Sequence, residues 1–128
     1  MRPKVVVFDL DGCVWYPEMY MLWGGGSPFT QCSGGDLADA SGTKTYLMGA
    51  VRQIFHELNT DPSWAGTKVA VASSCDEPAW ARECLIKFRV GPPGSCSTAL
   101  SDIVDANLIE IYKARSKQVH LTAIQVRA

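Results

Sequence analysis

The chain has 128 residues, of which 47% are apolar and 20% are charged, and its formal net charge is −1. This length and apolar fraction indicate one globular domain, residues 1–128, with its own hydrophobic core, and they argue against disorder. The balanced charge provides no basic surface for nucleic acids or anionic membranes, and no apolar run approaches the roughly 18 residues of a membrane span. We therefore expect a soluble, cytoplasmic protein without nucleic-acid or membrane partners.

The cysteines are odd in number, and none of them form a Cys-x-x-Cys pair. Because His56 and His120 are isolated in sequence as well, this spacing disfavours both a disulfide framework and a structural zinc site. We expect His120 to be an ordinary half-exposed histidine. The cysteines are expected to be reduced thiols that mostly serve packing: Cys13, Cys32, Cys75, Cys84 and Cys96.

The first predicted element is a strand at residues 4–9, where Lys-Val-Val-Val-Phe-Asp is apolar up to its acidic end. Continuous apolarity, rather than alternation, is typical of a strand that is buried on both faces in a parallel sheet. Residues 16–45 are rich in glycine and proline and predict a long loop or hairpin region. A connection of this length is uncommon in a compact domain and often carries function.

A helix is predicted over residues 46–59, because apolar residues recur there at helical spacing and Asp61-Pro62 then ends the pattern. Its apolar face comprises Leu47, Val51, Ile54, Phe55 and Leu58. A second continuously apolar strand follows at residues 68–73. We expect the helix to cover one face of the sheet that the two strands form.

Asp76 and Pro78 are residue types that begin helices, and they precede a second predicted helix. The apolar stripe of that helix comprises Trp80, Cys84, Leu85 and Phe88. Residues 91–94 break the chain, and residues 108–112 predict a third strand. The order of elements, completed by a last helix, predicts an α/β fold with a parallel sheet flanked by helices.

The last helical pattern opens at Ser116-Lys117 and carries Val119, Ala123 and Val126. It reaches Ala128 without a cap or a turn, at a point where a further parallel strand is expected. We interpret the domain as lacking a C-terminal part. A sheet that is short by one strand exposes an apolar edge, which predicts self-association through that edge.

Polar side chains stand where each predicted strand ends. Asp9 and Asp11 follow the first strand, Ser73 and Ser74 end the second, and Lys117 follows the third. Because ligands of open α/β sheets bind at the carboxyl ends of the strands, we expect these side chains to converge on one edge of the sheet.

Two carboxylates, a hydroxyl and an ammonium group suit phosphoryl transfer. One aspartate can attack phosphorus to form an aspartyl phosphate, and a second can act as the general acid and base. Neighbouring carboxylates also attract a hard cation such as Mg²⁺. The hydroxyl and the ammonium group can hold the oxygens of the transferring group.

On these residues the chain resembles the haloacid dehalogenase superfamily of phosphatases, whose first motif is a hydrophobic strand followed by Asp-x-Asp-Gly. Within the superfamily it is similar to the magnesium-dependent phosphatases that have no large cap domain. The similarity runs over essentially the whole chain, and the segments that carry it are FDLDGCVW (8–15), SPF (27–29), KTYLMGAV (44–51), VAVASS (69–74) and IYKARSKQVHL (111–121). The resemblance implies a Rossmann-like α/β fold in which residues 16–45, called the flap below, lie over the site.

The resemblance also implies a role for each residue. Asp9 would be the nucleophile and would bind Mg²⁺ through its carboxylate. Asp11 would be the general acid and base and would bind Mg²⁺ through its backbone carbonyl. Ser73 would provide the phosphate-binding hydroxyl and Lys117 the phosphate-binding ammonium group. The remaining phosphate-binding groups would be the backbone amides of Leu10 and Asp11 and the hydroxyl of Ser74.

The implied function is Mg²⁺-dependent hydrolysis of a phosphorylated small molecule or a phosphoprotein, and protein-tyrosine, sugar and metabolite substrates all remain open. Two features depart from the family pattern. The acidic pair of the fourth motif, which positions Mg²⁺, is absent from the sequence, and Ser74 stands where a basic residue is frequent. The absent acids leave an alternative open, namely a non-catalytic phosphate-binding or regulatory module.

Simpler interpretations compete with these roles. Asp9 and Asp11 could form an ordinary turn, the serines could merely begin a helix, and Lys117 could be a solvated surface lysine. A phosphoacceptor signalling domain would need its aspartate on a middle strand, and residues 69–72 provide none.

Cys13 and Cys75 lie near the predicted site and would be sensitive to oxidation. Four aromatic residues either line a substrate mouth or, as we favour, pack under the flap: Trp15, Tyr20, Trp23 and Phe29.

Overall fold

The computed structural model describes residues 2–128, and within that range it contains nine strands and four α-helices. In chain order the strands are β1 (Val5–Phe8), β2 (Trp15–Tyr16), β3 (Thr30–Gln31), β4 (Leu37–Ala38), β5 (Lys44–Leu47), β6 (Lys68–Ser73), β7 (Arg89–Val90), β8 (Thr98–Ala99) and β9 (Ile109–Ile111). The helices are α1 (Val51–Thr60), α2 (Pro78–Lys87), α3 (Leu100–Ile103) and α4 (Gln118–Arg127).

Strands β1, β6 and β9 form a parallel sheet in the order β1-β6-β9, which confirms the predicted α/β fold and its three parallel strands. The central strand β6 is buried from Val69 to Ser73, as its continuous apolarity predicts. The edge strand β1 is only half-buried, and Val7 is exposed. The prediction that β1 is buried on both faces is therefore wrong, because a strand at the sheet edge has a strand neighbour on one side only.

The two faces of β6 are covered by different helices. Val69 and Val71 belong to the larger apolar cluster, which also contains Phe55 of α1 and Leu85 of α2. Ala70 and Ala72 point to the other face. They pack with Leu108, which lies in the 3₁₀ turn before β9, and with Ile124 of α4. Phe8 of β1 also packs on Phe55, with ring centroids 4.6 Å apart. The sheet is therefore flanked by helices on both faces, as the predicted order of elements requires.

The buried face of α4 differs from the predicted one. Val119 is 53% exposed and Val126 is 80% exposed, whereas His120 and Ile124, four residues apart, are buried. The His120 ring stacks on Tyr112, with centroids 4.2 Å apart, and its Nε2 lies 2.9 Å from the Tyr112 carbonyl oxygen. This contact and the small alanines of β6 set the rotation of the helix, so the predictions of an apolar Val119–Val126 stripe and of a half-exposed His120 are wrong.

The flap is folded rather than irregular. Strands β2, β5, β4 and β3 pair antiparallel in that order, which confirms the hairpin interpretation of residues 16–45. The predicted helix over 46–59 starts too early, since its first two residues belong to β5 and α1 begins at Val51. In β5 exposed and buried residues alternate, and this period of two identifies a half-buried strand.

Asp39 holds the turns of the flap together. It accepts hydrogen bonds from the backbone amides of Gly26, Ser41 and Thr43 at 2.8–3.0 Å and from the Ser41 hydroxyl at 2.8 Å. Burial alone would raise the pKa of Asp39, but these hydrogen bonds together outweigh it and lower the pKa below its ordinary value. A single buried carboxylate therefore ties the turn at residues 39–43 to the separate segment at Gly26.

The flap is also fastened to α2. Glu83 accepts hydrogen bonds from the Ser27 hydroxyl and from the Phe29 amide at 2.7 Å, and Lys87 donates to the Phe29 carbonyl at 2.7 Å. Gly26, at φ +80°, lies against the Trp80 ring, and a Cβ there would come within 2.3 Å of that ring. Glycine is thus required at this position for the flap to pack on α2.

The remaining predicted elements lie close to their expected places. Helix α2 begins at Pro78, and β9 falls within the predicted residues 108–112. The predicted break at 91–94 separates β7 from β8, which pair with each other and were not predicted, and neither was the short helix α3. Within residues 2–128 no helix has the length and apolar character that crossing a membrane requires.

All five cysteines are free thiols. Cys75 and Cys84 are buried, but Cys13 and Cys32 are exposed and Cys96 is half-buried. The expectation that the thiols serve packing therefore holds for the two buried ones and is wrong for the exposed ones. The reason is their position, since Cys13 lies in the turn after β1 and Cys32 in the flap.

Candidate active site

The chain reverses direction directly after β1. Leu10 is buried, and its carbonyl accepts hydrogen bonds from the amides of Cys13, Val14 and Trp15 at 2.8–3.3 Å. Gly12 occupies a left-handed conformation, with φ +73°, that allows this tight turn. The turn fixes Asp9 and Asp11 on either side of a buried anchor at the carboxyl end of the sheet.

Asp9 and Lys117 meet at this edge. The Lys117 ammonium group lies 2.9 Å from Oδ2 of Asp9, and the two side chains are 37% and 42% exposed. Oδ1 of Asp9 accepts a hydrogen bond from the backbone amide of Leu10 at 2.9 Å. The structure therefore brings together two predicted site residues that are more than 100 residues apart, and it leaves both accessible from solvent.

The two serines at the end of β6 occupy different environments. The Ser73 hydroxyl is buried and has no hydrogen-bond partner within the described part of the chain. The Ser74 hydroxyl is exposed and lies 3.4 Å from both the amide and the carbonyl of Ala114. Ser74 thus joins the loop after β6 to the loop before Lys117, while Ser73 keeps an unused hydroxyl close to that junction.

A second ion pair reinforces this junction. The Lys113 ammonium group lies 2.9 Å from Oδ1 of Asp76, and both side chains are exposed. One turn past Lys117, the Tyr112–His120 stack fixes the start of α4 to the end of β9. The position of Lys117 therefore depends on contacts that lie outside the charged pair itself.

Asp11 differs from Asp9 in every contact. Its Oδ1 accepts a hydrogen bond from the Trp15 indole at 2.8 Å, and its Oδ2 accepts one from the Cys75 thiol at 3.4 Å. Burial raises the pKa of Asp11 above its ordinary value, although the hydrogen bonds from Trp15 and Cys75 act in the opposite direction. Asp11 therefore keeps its proton to a higher pH than an ordinary aspartate, which is a property that suits a general acid.

Sequence reasoning did not identify Trp15 and Cys75 as partners of Asp11. The available signal was the spacing of four residues between Asp11 and Trp15 across a Gly-containing turn. Burial raises the pKa of the Cys75 thiol to about 12, so it stays protonated and acts as a hydrogen-bond donor. The expectation that Cys75 is sensitive to oxidation is therefore wrong, because the thiolate is the reactive form.

The aromatic residues near the site divide into two groups. Trp15 and Phe29 are buried, which agrees with packing under the flap. Trp23 is 86% exposed and Tyr20 is also exposed, so packing is the wrong interpretation for these two. They lie on and just after a 3₁₀ turn of the flap, Met19–Leu22, whose buried residues are Met19 and Leu22, and this turn directs the other aromatic side chains outward.

The oxygen atoms at this edge can be compared with what Mg²⁺ needs. The Asp9 carboxylate and the Asp11 backbone carbonyl are hard oxygen donors, and residues 2–128 contain no cluster of three or more His, Cys, Asp or Glu side chains. Mg²⁺ commonly takes one or two protein carboxylates and keeps water and phosphate oxygens at its other positions. These two protein oxygens alone would leave most coordination positions of Mg²⁺ to water and phosphate oxygens.

The parallel α/β sheet with the Asp9–Lys117 pair at its carboxyl edge fits the haloacid dehalogenase-like class of phosphatases. Comparison with family models matches residues 1–128, the whole chain, to the family described as Acid Phosphatase. The chain belongs to this acid phosphatase family. A search of curated proteins found no match. The resemblance to this class of phosphatases is thus confirmed, while the finer similarity to the magnesium-dependent phosphatases stays a prediction.

Proposed function

We propose that this chain is a cytoplasmic, Mg²⁺-dependent phosphomonoester hydrolase that forms an aspartyl phosphate on Asp9. One observation carries the proposal. Two partly buried carboxyl groups two residues apart have different partners, since Asp9 is ion-paired with Lys117, whereas Asp11 accepts hydrogen bonds from the uncharged Trp15 indole and Cys75 thiol. Such a separation of environments is how enzymes assign distinct roles to two neighbouring carboxyl groups.

In the first step Asp9 acts as the nucleophile. An oxygen of its carboxylate forms a bond to phosphorus while the bond between phosphorus and the leaving oxygen breaks. Asp11 donates its proton to the leaving oxygen, so that the product is a neutral alcohol or phenol. The accessibility of Asp9 supports this role, because the phosphoryl group must approach it from solvent.

In the second step Asp11, now ionised, accepts a proton from water. The water oxygen attacks phosphorus, the bond between phosphorus and Asp9 breaks, and inorganic phosphate is released. Asp11 regains its proton, and the Asp9 carboxylate is restored. The two steps together consume one water molecule and leave both carboxyl groups unchanged.

The other groups at the edge would hold the phosphoryl oxygens. Lys117 supplies a positive charge beside Asp9, and the unpartnered Ser73 hydroxyl is a donor that a phosphoryl oxygen could satisfy. A bound Mg²⁺, held by the Asp9 carboxylate and the Asp11 carbonyl, would offset the negative charge shared by nucleophile and phosphate. Ser74 and the amides of Leu10 and Asp11 complete the proposed cradle.

For substrate and partners we propose a phosphorylated small molecule or a phosphoprotein, with protein-tyrosine and sugar phosphates as the two leading classes. The exposed Tyr20 and Trp23 support a substrate site that is open to solvent.

We also propose self-association through the outer edge of β1, where Val7 is exposed. Light scattering should then show a mass that grows with concentration, and a constant monomer mass at high concentration would refute the association.

The proposed activity is tested with p-nitrophenyl phosphate. Wild-type chain should release p-nitrophenol in the presence of Mg²⁺ and stop when the metal is chelated, and Asp9→Asn should abolish turnover. The matched control is Asp76→Asn, which removes the same charge from an Asp–Lys pair of the same length at the same edge. Equal activity of the two variants would contradict the role of Asp9.

The small metal-donor set at the edge favours one alternative, a module that binds phosphate without hydrolysing it. Calorimetric titration with Mg²⁺ and inorganic phosphate distinguishes the two functions. Binding of phosphate without any turnover of phosphate esters would favour the module. Binding of Mg²⁺ together with turnover would favour the hydrolase.

A further inference from the structure

Both oxygens of Asp11 have separate donors that come from different parts of the chain. Trp15 opens β2 at the base of the flap, and Cys75 lies in the loop after β6. The terminal torsion of an aspartate is broad, so a single hydrogen bond leaves the carboxyl group free to rotate. Donors on both oxygens fix the direction of the side chain and also the rotation of its carboxyl plane.

The two donors are themselves held rigidly. Trp15 is fully buried, its ring stacks on Phe88 with centroids 5.6 Å apart and an interplanar angle of 18°, and its backbone pairs with Leu47 of β5. Cys75 is buried as well, and its sulfur accepts a hydrogen bond from the Glu77 amide at 3.4 Å. The partners of Asp11 therefore have little freedom to follow it if it moves.

The chemistry of the donors also distinguishes the two oxygens of Asp11. An indole N–H can only donate, so Oδ1 must act as an acceptor in both protonation states. A thiol is the weaker donor of the two. Neither donor carries a charge, whereas Lys117 provides a full positive charge beside Asp9.

We propose that Trp15 and Cys75 are positioning residues that clamp the Asp11 carboxyl group and fix its orientation at the site. The inference rests on the proposed hydrolase function. The inference adds that β2, the strand that leads into the flap, supports the acid–base residue, because Trp15 both begins β2 and bonds Asp11. Neither residue touches the phosphoryl group, and each acts through Asp11.

The dependence of the rate on the leaving group tests the clamp. Protonation by Asp11 matters greatly for an alkyl phosphate, whose leaving alkoxide is strongly basic, and little for p-nitrophenyl phosphate. Trp15→Phe keeps a stacking ring but removes the N–H, so kcat/KM, which reports the first step alone, should fall about 10–100-fold for the alkyl ester and less than about threefold for p-nitrophenyl phosphate. Cys75→Ala should show the same selectivity with a smaller loss, and Cys75→Ser, which restores a donor, should recover most of it.

A control variant separates positioning from structural damage. Cys84→Ala removes a buried thiol that does not bond Asp11. It should change kcat/KM for the two esters by the same small factor. Equal losses with both esters in Trp15→Phe would overturn the clamp, whereas a wild-type chain that hydrolyses neither ester would overturn the proposed function itself.

A spectroscopic measurement tests the contact without relying on activity. The four tryptophans give four indole N–H resonances, and the one that disappears in Trp15→Phe identifies Trp15. In Asp11→Ala the Trp15 indole proton should shift upfield and exchange faster with solvent, because its acceptor is gone. An unchanged shift and exchange rate would show that the indole does not bond Asp11, and the clamp would be refuted.

Discussion

Asp9 and Asp11 share one turn yet lie in two different regions of the molecule. Asp9 belongs to the open carboxyl edge of the parallel sheet, where a lysine from beyond the third strand meets it. Asp11 faces the closed base of the flap, where an indole and a thiol surround it. The hydrogen-bond and ion-pair partners of each carboxyl group are thus set by the element it faces and not by its place in the motif.

The largest effect is expected at the open edge. Asp9→Asn removes the nucleophile, and kcat/KM should fall by at least about 10⁴-fold, since losing a nucleophile removes an entire reaction path. The free energy of unfolding should change by less than about 0.5 kcal/mol, because an exposed ion pair contributes little. Steady-state kinetics and urea unfolding measure the two quantities. A variant that lost activity only because it unfolded would contradict this assignment.

The second-largest loss of activity is expected for Asp11, in the closed region at the base of the flap. Asp11→Asn should lower kcat by about 10²–10⁴-fold. It should also raise the thermal midpoint, because a carboxyl group whose pKa is raised by burial destabilises the folded state once it ionises. This increase in the thermal midpoint should be absent below 3.8, the ordinary pKa of an aspartate. It should grow as pH rises above that value and persist at neutral pH. Equal thermal midpoints of the wild type and Asp11→Asn at neutral pH would contradict the raised pKa of Asp11.

A smaller effect on activity is expected when Lys117, the cation at the open edge, is removed. Lys117→Ala should raise KM for a phosphate ester by about 10–100-fold, because a charge-assisted bond to phosphate is lost. Lys113→Ala, which removes the neighbouring exposed cation, is the control and should change KM by less than about threefold. Similar changes in both variants would indicate a general electrostatic effect of the loop instead of a specific contact.

The smallest effect on activity, although not on stability, should come from the far end of the flap. Asp39→Ala leaves three backbone amides without their acceptor, and chemical denaturation should show a loss of about 2 kcal/mol. Asp36→Ala removes a less buried acid, which pairs with Arg52, and serves as the control with a smaller loss.

The pH dependence of the Asp39 contribution has a definite sign. The folded pKa of Asp39 is lowered, so its stabilising contribution is present above its ordinary pKa and disappears as pH falls through the lower, folded value. The difference in stability between wild type and Asp39→Ala should therefore shrink under acidic conditions. A difference that stays constant with pH would contradict the role of the charged carboxylate.

The sequence was sufficient to bring two residues of the open edge together. Continuous apolar runs identify the strands of the parallel sheet, and the polar residues at their ends predict that Asp9 and Lys117 lie close together, because in such sheets the carboxyl ends of the strands share one edge. Local pattern and topology determine this region. The Lys117–Asp9 pair is accordingly found where the order of elements places it.

The closed region was harder to predict because it depends on contacts between segments distant in sequence. The alternation in Lys44–Leu47 is a strand signal that the longer helical pattern obscured, so the flap sheet was incompletely anticipated. The burial of His120 follows from its stack on Tyr112, which no local pattern reveals. The bonds from Trp15 and Cys75 to Asp11 likewise need the turn after β1 and the loop after β6 to be placed side by side.

The central claim is that Asp9 receives the phosphoryl group while Asp11 transfers the proton, and acid quenching of the working enzyme tests it most directly. Wild-type chain would be mixed with Mg²⁺ and a phosphomonoester, quenched within one turnover, digested and mapped by mass spectrometry. The account predicts phosphate on the peptide that contains Asp9, lost on hydroxylamine treatment and absent in Asp9→Asn. Phosphate on Ser73 or on Asp11, or turnover with no phosphorylated peptide at all, would contradict it.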